Sequence, residues 1–286
     1  MTAIKIQPLH KDFGARLTGM DLSVALNSET LAELHQAIDE YSLICLPNQN
    51  MSDDIQLSFT RQLGEPEADH ITFGKTGQNK YVTTVGNIDE SGQKSGNAHQ
   101  NTKFQKGNNL WHSDSSFRQT PSYVSIMFPH EVPDEGGITE FVSQRVAYNR
   151  LSSTEQSECQ PYSAIHDYVF SRTQIAPVDF NHAASLPPVK HPLVRTNDAN
   201  QQKNLYIGAH ARSVVGLNGI QSRILLDSLL EKTTTEESIF PHQWQAGEVV
   251  IWDNRCLLHR GTGYDADRWR RRMRQSRVVG SHSGII

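Results

Sequence analysis

Short apolar runs, rich in β-branched and aromatic residues and cut off by Gly, Pro, Asn or Asp, recur along this chain with few helical segments between them. Ser42–Leu46, Tyr81–Ile88, Tyr123–Phe128, Thr139–Ser143, His191–Thr196, Asn204–His210 and Glu248–Trp252 all have this character, which is that of strands. His191–Thr196 and Asn204–His210 flank the turn-forming Asn197-Asp198-Ala199-Asn200 and read as a hairpin. Helical periodicity is confined to a few places. Ser28–Tyr41 carries Leu31, Leu34, Ile38 and Tyr41 behind Asn27. Ser52 is a suitable N-cap for a helix with Asp53 and Asp54 in its first turn, Ile55, Phe59 and Leu63 on one face, and Gly64 at its end. Gln144–Glu158 holds a short helix or two. Asn218–Lys232 is the clearest helix of the second half, with Ile220, Ile224, Leu225 and Leu229 expected to face the core. Strands and helices do not alternate, so a parallel α/β fold is excluded. The expectation is one mainly β domain over residues 1–286, with helical embellishments.

Bulk properties narrow the function. The chain is long enough for a sizeable core, at 286 residues and 36% hydrophobic. A formal net charge of -4 gives no basic field for nucleic acid or anionic membrane. Cys45, Cys159 and Cys256 are far apart and suit a reducing cytosol rather than a disulfide framework. Met1–Lys5 opens no apolar leader, and nowhere is there an apolar run long enough to span a bilayer. A cytoplasmic protein with no membrane and no nucleic-acid partner is expected.

One stretch concentrates metal-binding chemistry. In Asn108–Phe117, His112 and Asp114 lie two residues apart. On an extended strand those side chains share a face, their Cα atoms about 7 Å apart. A comparable context recurs where the apolar Val249–Trp252 run leads through polar residues to His259. Two imidazoles and one carboxylate form the facial triad of non-haem Fe(II) oxygenases, which leaves three coordination positions open. The same residues would suit a zinc hydrolase with one bound water, and a non-catalytic β-barrel binding protein is a further alternative.

Four motifs extend the comparison. Trp111-His112-Ser113-Asp114-Ser115-Ser116-Phe117, Gly136-Gly137-Ile138-Thr139-Glu140-Phe141, the Trp252–Gly261 run ending in Leu258-His259-Arg260-Gly261, and the Arg-rich tail resemble the TauD/TfdA family of Fe(II)- and 2-oxoglutarate-dependent dioxygenases. The branch that cleaves aryloxyalkanoates such as 2,4-dichlorophenoxyacetate is most similar. The resemblance runs from about Ile4 to Gly280 and includes His191–Thr196 and Tyr206–His210. It implies a double-stranded β-helix, or jelly roll, of the clavaminate-synthase-like type. It also implies iron held by His112, Asp114 and His259, with 2-oxoglutarate and O2 as co-substrates. The Asp matters, because related halogenases lack that carboxylate to make room for halide; its presence favours oxygen insertion.

The resemblance further assigns the distal carboxylate of 2-oxoglutarate to Thr139 and to an Arg following the distal His. Counted forward from His259 this is Arg270; counted back from the Met273-x-x-Ser276-Arg277 end it is Arg271. One residue is inserted between Asp265 and Met273, and Arg271 is favoured because an insertion is easily absorbed in the preceding loop. Alternation along the last strand would put Arg277, and with it Arg274, near the mouth to meet a carboxylate-bearing substrate. Asn108, His70 and His210 are further candidate substrate contacts, and Phe117, Ile138, Phe141, Trp252 and Trp269 a candidate apolar wall. Residues 89–107 read as a lid loop and 163–188 as an insertion over the site. The expected reaction is oxidation of a C–H bond with release of succinate and CO2, followed by ether cleavage if that carbon carries an ether oxygen. The alternative is hydroxylation, desaturation or epoxidation of a natural-product or amino-acid-derived acid. A homo-oligomer, dimer or higher, is expected.

Overall fold

The computed structural model describes residues 4–69, 80–175 and 184–280. Its strands are β1 (Lys5–Pro8), β2 (Ala15–Thr18), β3 (Leu43–Leu46), β4 (Val82–Gly86), β5 (Ser122–Glu131), β6 (Thr139–Ser143), β7 (Ser163–His166), β8 (Val189–Pro192), β9 (Val194–Thr196), β10 (Lys203–Leu205), β11 (Ala211–Val214), β12 (Phe240–His242), β13 (Val249–Asp253), β14 (Leu257–Gly261) and β15 (Arg272–Val279). Helices α1 (Ser28–Tyr41) and α2 (Asp53–Leu63) fall where their caps predict. Asn27 Oδ1 accepts from the Thr30 amide and Ser52 Oγ from the Ile55 amide, each satisfying an N–H that the first turn leaves orphaned.

The large sheet runs β1-β2-β3-β13-β5-β15-β4, antiparallel throughout except where β2 meets β3. The smaller sheets are β12-β6-β14, β11-β7-β8 and the hairpin β9-β10. The strand pleat sorts side chains between the two faces of the large sheet. Ile44, Leu46, Val124, Ile126, Val249 and Ile251 join Leu34, Ile38, Phe59 and Leu63 under α1 and α2. Leu43, Cys45, Met127, Val250, Trp252 and Met273 point the other way and meet Phe141 and Leu257 of the smaller sheet. These two facing sheets are the jelly roll, with the site between them.

Three elements depart from the sequence expectation. The helix Gly219–Thr233 buries Ser222, Leu226, Leu229 and Thr233, while Ile220 and Ile224 are 75% and 66% exposed. Asn218 and Gln221 form a capping box that sets the phase, and the inward Ser222 hydroxyl accepts from the Val214 amide at 3.0 Å. A buried serine hides the true stripe. Tyr206–His210 leaves the sheet after β10 and lies against the Trp111 backbone, with Ala209 N–H donating to Trp111 O at 2.8 Å. Gly208 permits this approach: at φ +122°, any Cβ would sit 3.0 Å from the Trp111 carbonyl. Finally, residues 89–107 are not structureless, since they contain helix α3 (Gln100–Gln105). Gln105 clamps the Gly86 backbone from both sides, accepting from its N–H at 2.9 Å and donating to its carbonyl at 2.8 Å. Of 163–188, β7 is the central strand of its sheet, Tyr168–Thr173 is a helix, and 176–183 falls outside the described residues.

Candidate active site

His112 and Asp114 do not sit on a strand. His112 makes a single reciprocal bridge with His259 of β14, the two amide–carbonyl bonds being 3.0 and 2.8 Å. The chain then turns, with Ser115 at φ +55°. The bridge sets the imidazoles side by side, ring centroids 4.3 Å apart, and the turn brings the carboxylate round to both. Asp114 Oδ1 lies 3.8 Å from His112 Nε2 and 3.9 Å from His259 Nε2. Leu110 O, an acceptor only, contacts His112 Nδ1 at 2.7 Å. That ring nitrogen therefore carries the proton and Nε2 presents its lone pair to the group.

The electrostatics suit ligation. Burial, reinforced by His259, depresses the His112 imidazolium to about 3. Burial also depresses His259. For Asp114 burial works upward, but His259, Arg277 and His112 outweigh it and draw the carboxyl down to about 2. At neutral pH the trio is two neutral imidazoles and one carboxylate, the forms a metal ion requires.

The trio opens into a cavity lined by Met127, Ile138, Trp244 and Trp252 and by Asn97, Thr102, Gln105 and Lys106. Thr139 also lines it, its Oγ1 accepting from Trp244 Nε1 at 3.0 Å. Arg271, 8% exposed, lines it too. Its backbone is locked to Asn87, whose Oδ1 accepts from Arg271 N–H at 2.8 Å. Its guanidinium stands 5.9 Å from the Tyr264 ring centroid and donates to the Val85 carbonyl at 3.4 Å, and Nε has no hydrogen-bond partner among the described residues. Burial lowers its pKa to about 10, against the opposing pull of Tyr264, so the group is a cation at neutral pH. A buried guanidinium without a carboxylate is costly unless an anion comes to it.

The chain is similar to known proteins over nearly its whole length. The family described as "Taurine catabolism dioxygenase TauD, TfdA family" matches residues 5–276. The chain belongs to the TauD/TfdA dioxygenases. It is 37% identical to the alpha-ketoglutarate-dependent 2,4-dichlorophenoxyacetate dioxygenase of Cupriavidus pinatubonensis, covering 97% of this chain and 98% of that one. It is 29% identical to the (S)-phenoxypropionate/alpha-ketoglutarate-dioxygenase of Delftia acidovorans, covering 92% and 91%. The crystal structure of AAD-2 in complex with Mn(II) and N-oxalylglycine superposes with a TM-score of 0.90 at 30% identity, covering 98% of each chain. The protein is thus an iron(II)- and 2-oxoglutarate-dependent oxidoreductase with a jelly-roll core. The donor chemistry fits the metal, and the buried Arg271 fits the far carboxylate of the co-substrate.

Within this dioxygenase the other arginines separate cleanly. Arg270, side chain 47% exposed, pairs with Glu131 at 2.5 Å on the surface and does not line the cavity. Arg274 is a correction to the expected pocket mouth. It lies on the outer face of β15, where Asp53 of α2 and Glu90 take its guanidinium, while the neighbouring Ser276 on the same face bonds Gln56 and Thr60 of α2. Arg277 does point inward, but Glu67 and Asp69 hold it at 3.1 and 3.3 Å and it is not part of the cavity wall. Asn108 lines the cavity and accepts from Arg172 at 3.1 Å. His210 contacts Ser171 Oγ through Nδ1 at 2.8 Å and stands edge-on to His112 at 6.2 Å, off the wall. His70 lies outside the described residues. Of the apolar candidates, Ile138 and Trp252 line the cavity, whereas Phe117, Phe141 and Trp269 do not.

Sequence reasoning missed Gln275, Trp244, Tyr264 and Asn87. Gln275 was findable: it alternates with Met273 and Arg277 on β15, so the pleat that faces Met273 into the core also faces Gln275 toward the metal trio. Among the described residues a second donor set, Cys45, His242 and Glu248, also gathers within 4.8 Å. It is buried throughout, lines no part of the cavity, and has the Arg16 guanidinium 3.6 Å from Glu248.

Proposed function

We propose that this dioxygenase oxidises a C–H bond of a small carboxylate-bearing molecule, with an aryloxyalkanoate as its substrate. His112, Asp114 and His259 hold the iron, which supplies activation of O2 when bound. Arg271 and Thr139 take the far carboxylate of 2-oxoglutarate; the guanidinium fork matches a carboxylate bidentately and stays charged across the working pH range. Met127, Ile138, Trp244 and Trp252 give an apolar wall that suits an aromatic ring and keeps water from the oxidant. Hydroxylation of the carbon between ether oxygen and carboxylate yields a hemiacetal, which expels a phenol and leaves an oxoacid. Residues 89–107 act as the lid, in support of which Asn97, Thr102, Gln105 and Lys106 line the cavity. The helix Tyr168–Thr173 also borders the site, in support of which Arg172 reaches the cavity-lining Asn108.

The observation that carries this reading is the junction of a two-histidine, one-carboxylate trio with a buried guanidinium that has no carboxylate partner among the described residues, in one cavity. The purified enzyme given Fe(II), 2-oxoglutarate and O2 should form succinate and phenol in equal amounts from phenoxyacetates, and no succinate above background with Zn(II). Stoichiometric succinate with a hydroxylated, desaturated or epoxidised acid, and no phenol, would move the assignment to the second reading, since none of the wall residues selects an ether oxygen. Absence of substrate-dependent succinate across a carboxylic-acid panel would refute both.

We further place the enzyme in the cytoplasm as a homo-oligomer. Three buried free cysteines suit a reducing compartment, and no helix among the described residues is long and apolar enough to cross a membrane. Ile220 and Ile224, exposed on one helix face, support self-association. A monomer by light scattering, or fractionation outside the cytoplasm, would remove the respective statement.

A further inference from the structure

The two oxygens of Asp114 are treated differently. Oδ1 faces both imidazoles, at 3.8 and 3.9 Å. Oδ2 is occupied by donors: Ser125 Oγ at 2.6 Å and Gln275 Nε2 at 2.8 Å. Ser125 in turn accepts from Asn254 Nδ2 at 2.9 Å, and Asn254 Oδ1 accepts from the Asp114 amide at 3.1 Å. Ser125 and Asn254 thus form a closed ring around one side of the carboxylate, and Gln275 closes the other.

The orientation of the Gln275 amide follows from its neighbours. On one side stands Arg277, which can only donate, its Nη1 3.3 Å from Gln275 Oε1. On the other stands an ionised carboxylate, which can only accept. Oxygen must therefore face Arg277 and nitrogen Asp114, so this amide has no alternative flip. Arg277 cannot easily move, because Glu67 holds it and is itself held by Ser115 and Ser122 hydroxyls at 2.5 and 2.6 Å. Gln275 is 7% exposed, and what surface it has lines the cavity.

We propose that Gln275 is a positioning residue that, with Ser125, holds the Asp114 carboxylate so that Oδ1 is presented toward the two imidazoles. The reason lies in coordination number. A facial two-histidine, one-carboxylate set would leave three positions open for the co-substrate and O2. A carboxylate chelating through both oxygens would take one of them. Two donors on Oδ2 engage the lone pairs needed for chelation and lock the rotation of the group, so only Oδ1 is presented. Gln275 also carries the influence of Arg277 to the metal carboxylate through a neutral amide, which keeps a second guanidinium out of the cavity where it would compete for the co-substrate.

This inference rests on the assignment of His112, Asp114 and His259 as ligands, and the test separates the two. Mn(II) titration of the full-length apo-enzyme, followed by EPR, needs no turnover. Gln275→Leu should weaken Mn(II) binding by about 10- to 100-fold, the usual cost of removing a ligand's supporting hydrogen bond, with the thermal midpoint of the apo-enzyme unchanged. Gln275→Met, which keeps the chain length and the packing, should behave alike and serves if Leu fails to fold. Affinity within twofold of the parent in a folded Gln275 variant overturns the positioning role. If His112→Ala also leaves affinity unchanged, the ligand assignment itself falls; if His112→Ala abolishes binding while the Gln275 variants do not weaken it, only the role of Gln275 falls.

Discussion

Arg271→Leu should raise the KM for 2-oxoglutarate by roughly 100-fold or more, while Arg270→Leu leaves it within twofold. A hydrogen bond to a charged group is worth about 1.5–3 kcal/mol, and a guanidinium fork makes two of them, whereas each 1.4 kcal/mol is about tenfold in affinity. Arg270 is committed to Glu131 in solvent, where an exposed pair contributes little. Arg271 is buried, lines the cavity and lacks a carboxylate among the described residues. Losing it should not destabilise the co-substrate-free protein, because removing an uncompensated buried charge relieves a desolvation cost. Initial rates against 2-oxoglutarate concentration, with the thermal midpoint measured alongside, check both halves. Equal effects from the two substitutions would return the assignment to an open register.

Arg277→Met should cost about 3–5 kcal/mol of stability, the penalty for leaving buried charge without its partner. Glu67 is 3% exposed and gathers Arg277, Ser115 and Ser122, with Arg118 Nε a further 3.7 Å away. Asp69 loses the same cation. The signature is a large drop in denaturation midpoint, not a selective rise in the KM for the organic acid. A well-folded Arg277→Met protein with a raised substrate KM alone would restore Arg277 to the substrate contacts that its position in the sequence suggested.

Local signals made the first half of the fold legible. The helices beginning after Asn27 and Ser52 end where sequence places them, because caps, first-turn charge and apolar spacing act within a few residues of one another. The apolar run that becomes β13 was equally readable as a strand, while its two faces were assigned only by packing. The helix Gly219–Thr233 was misread for the opposite reason: the group that fixes its inward face is a serine whose partner, Val214, belongs to another element. At the site, the His112–Asp114 pair was visible as a motif, but its geometry comes from a turn at Ser115 and a backbone bridge to a residue nearly 150 positions away.

Sequence alone settled which donor atoms are available and that the apolar runs of β3, β5, β6 and β13 become strands, because both depend on residue type and near-neighbour spacing. Arg270, Arg271, Arg274 and Arg277 look interchangeable on that basis. The folded protein distinguishes them by what waits opposite. Glu131 for Arg270, Asp53 for Arg274 and Glu67 for Arg277 arrive from 139, 221 and 210 positions away. Burial makes such pairing decisive, since a charge removed from water must find its counterion inside or receive one as a ligand. Only Arg271 faces the cavity with no such carboxylate among the described residues, and that is a property of packing that no local pattern encodes.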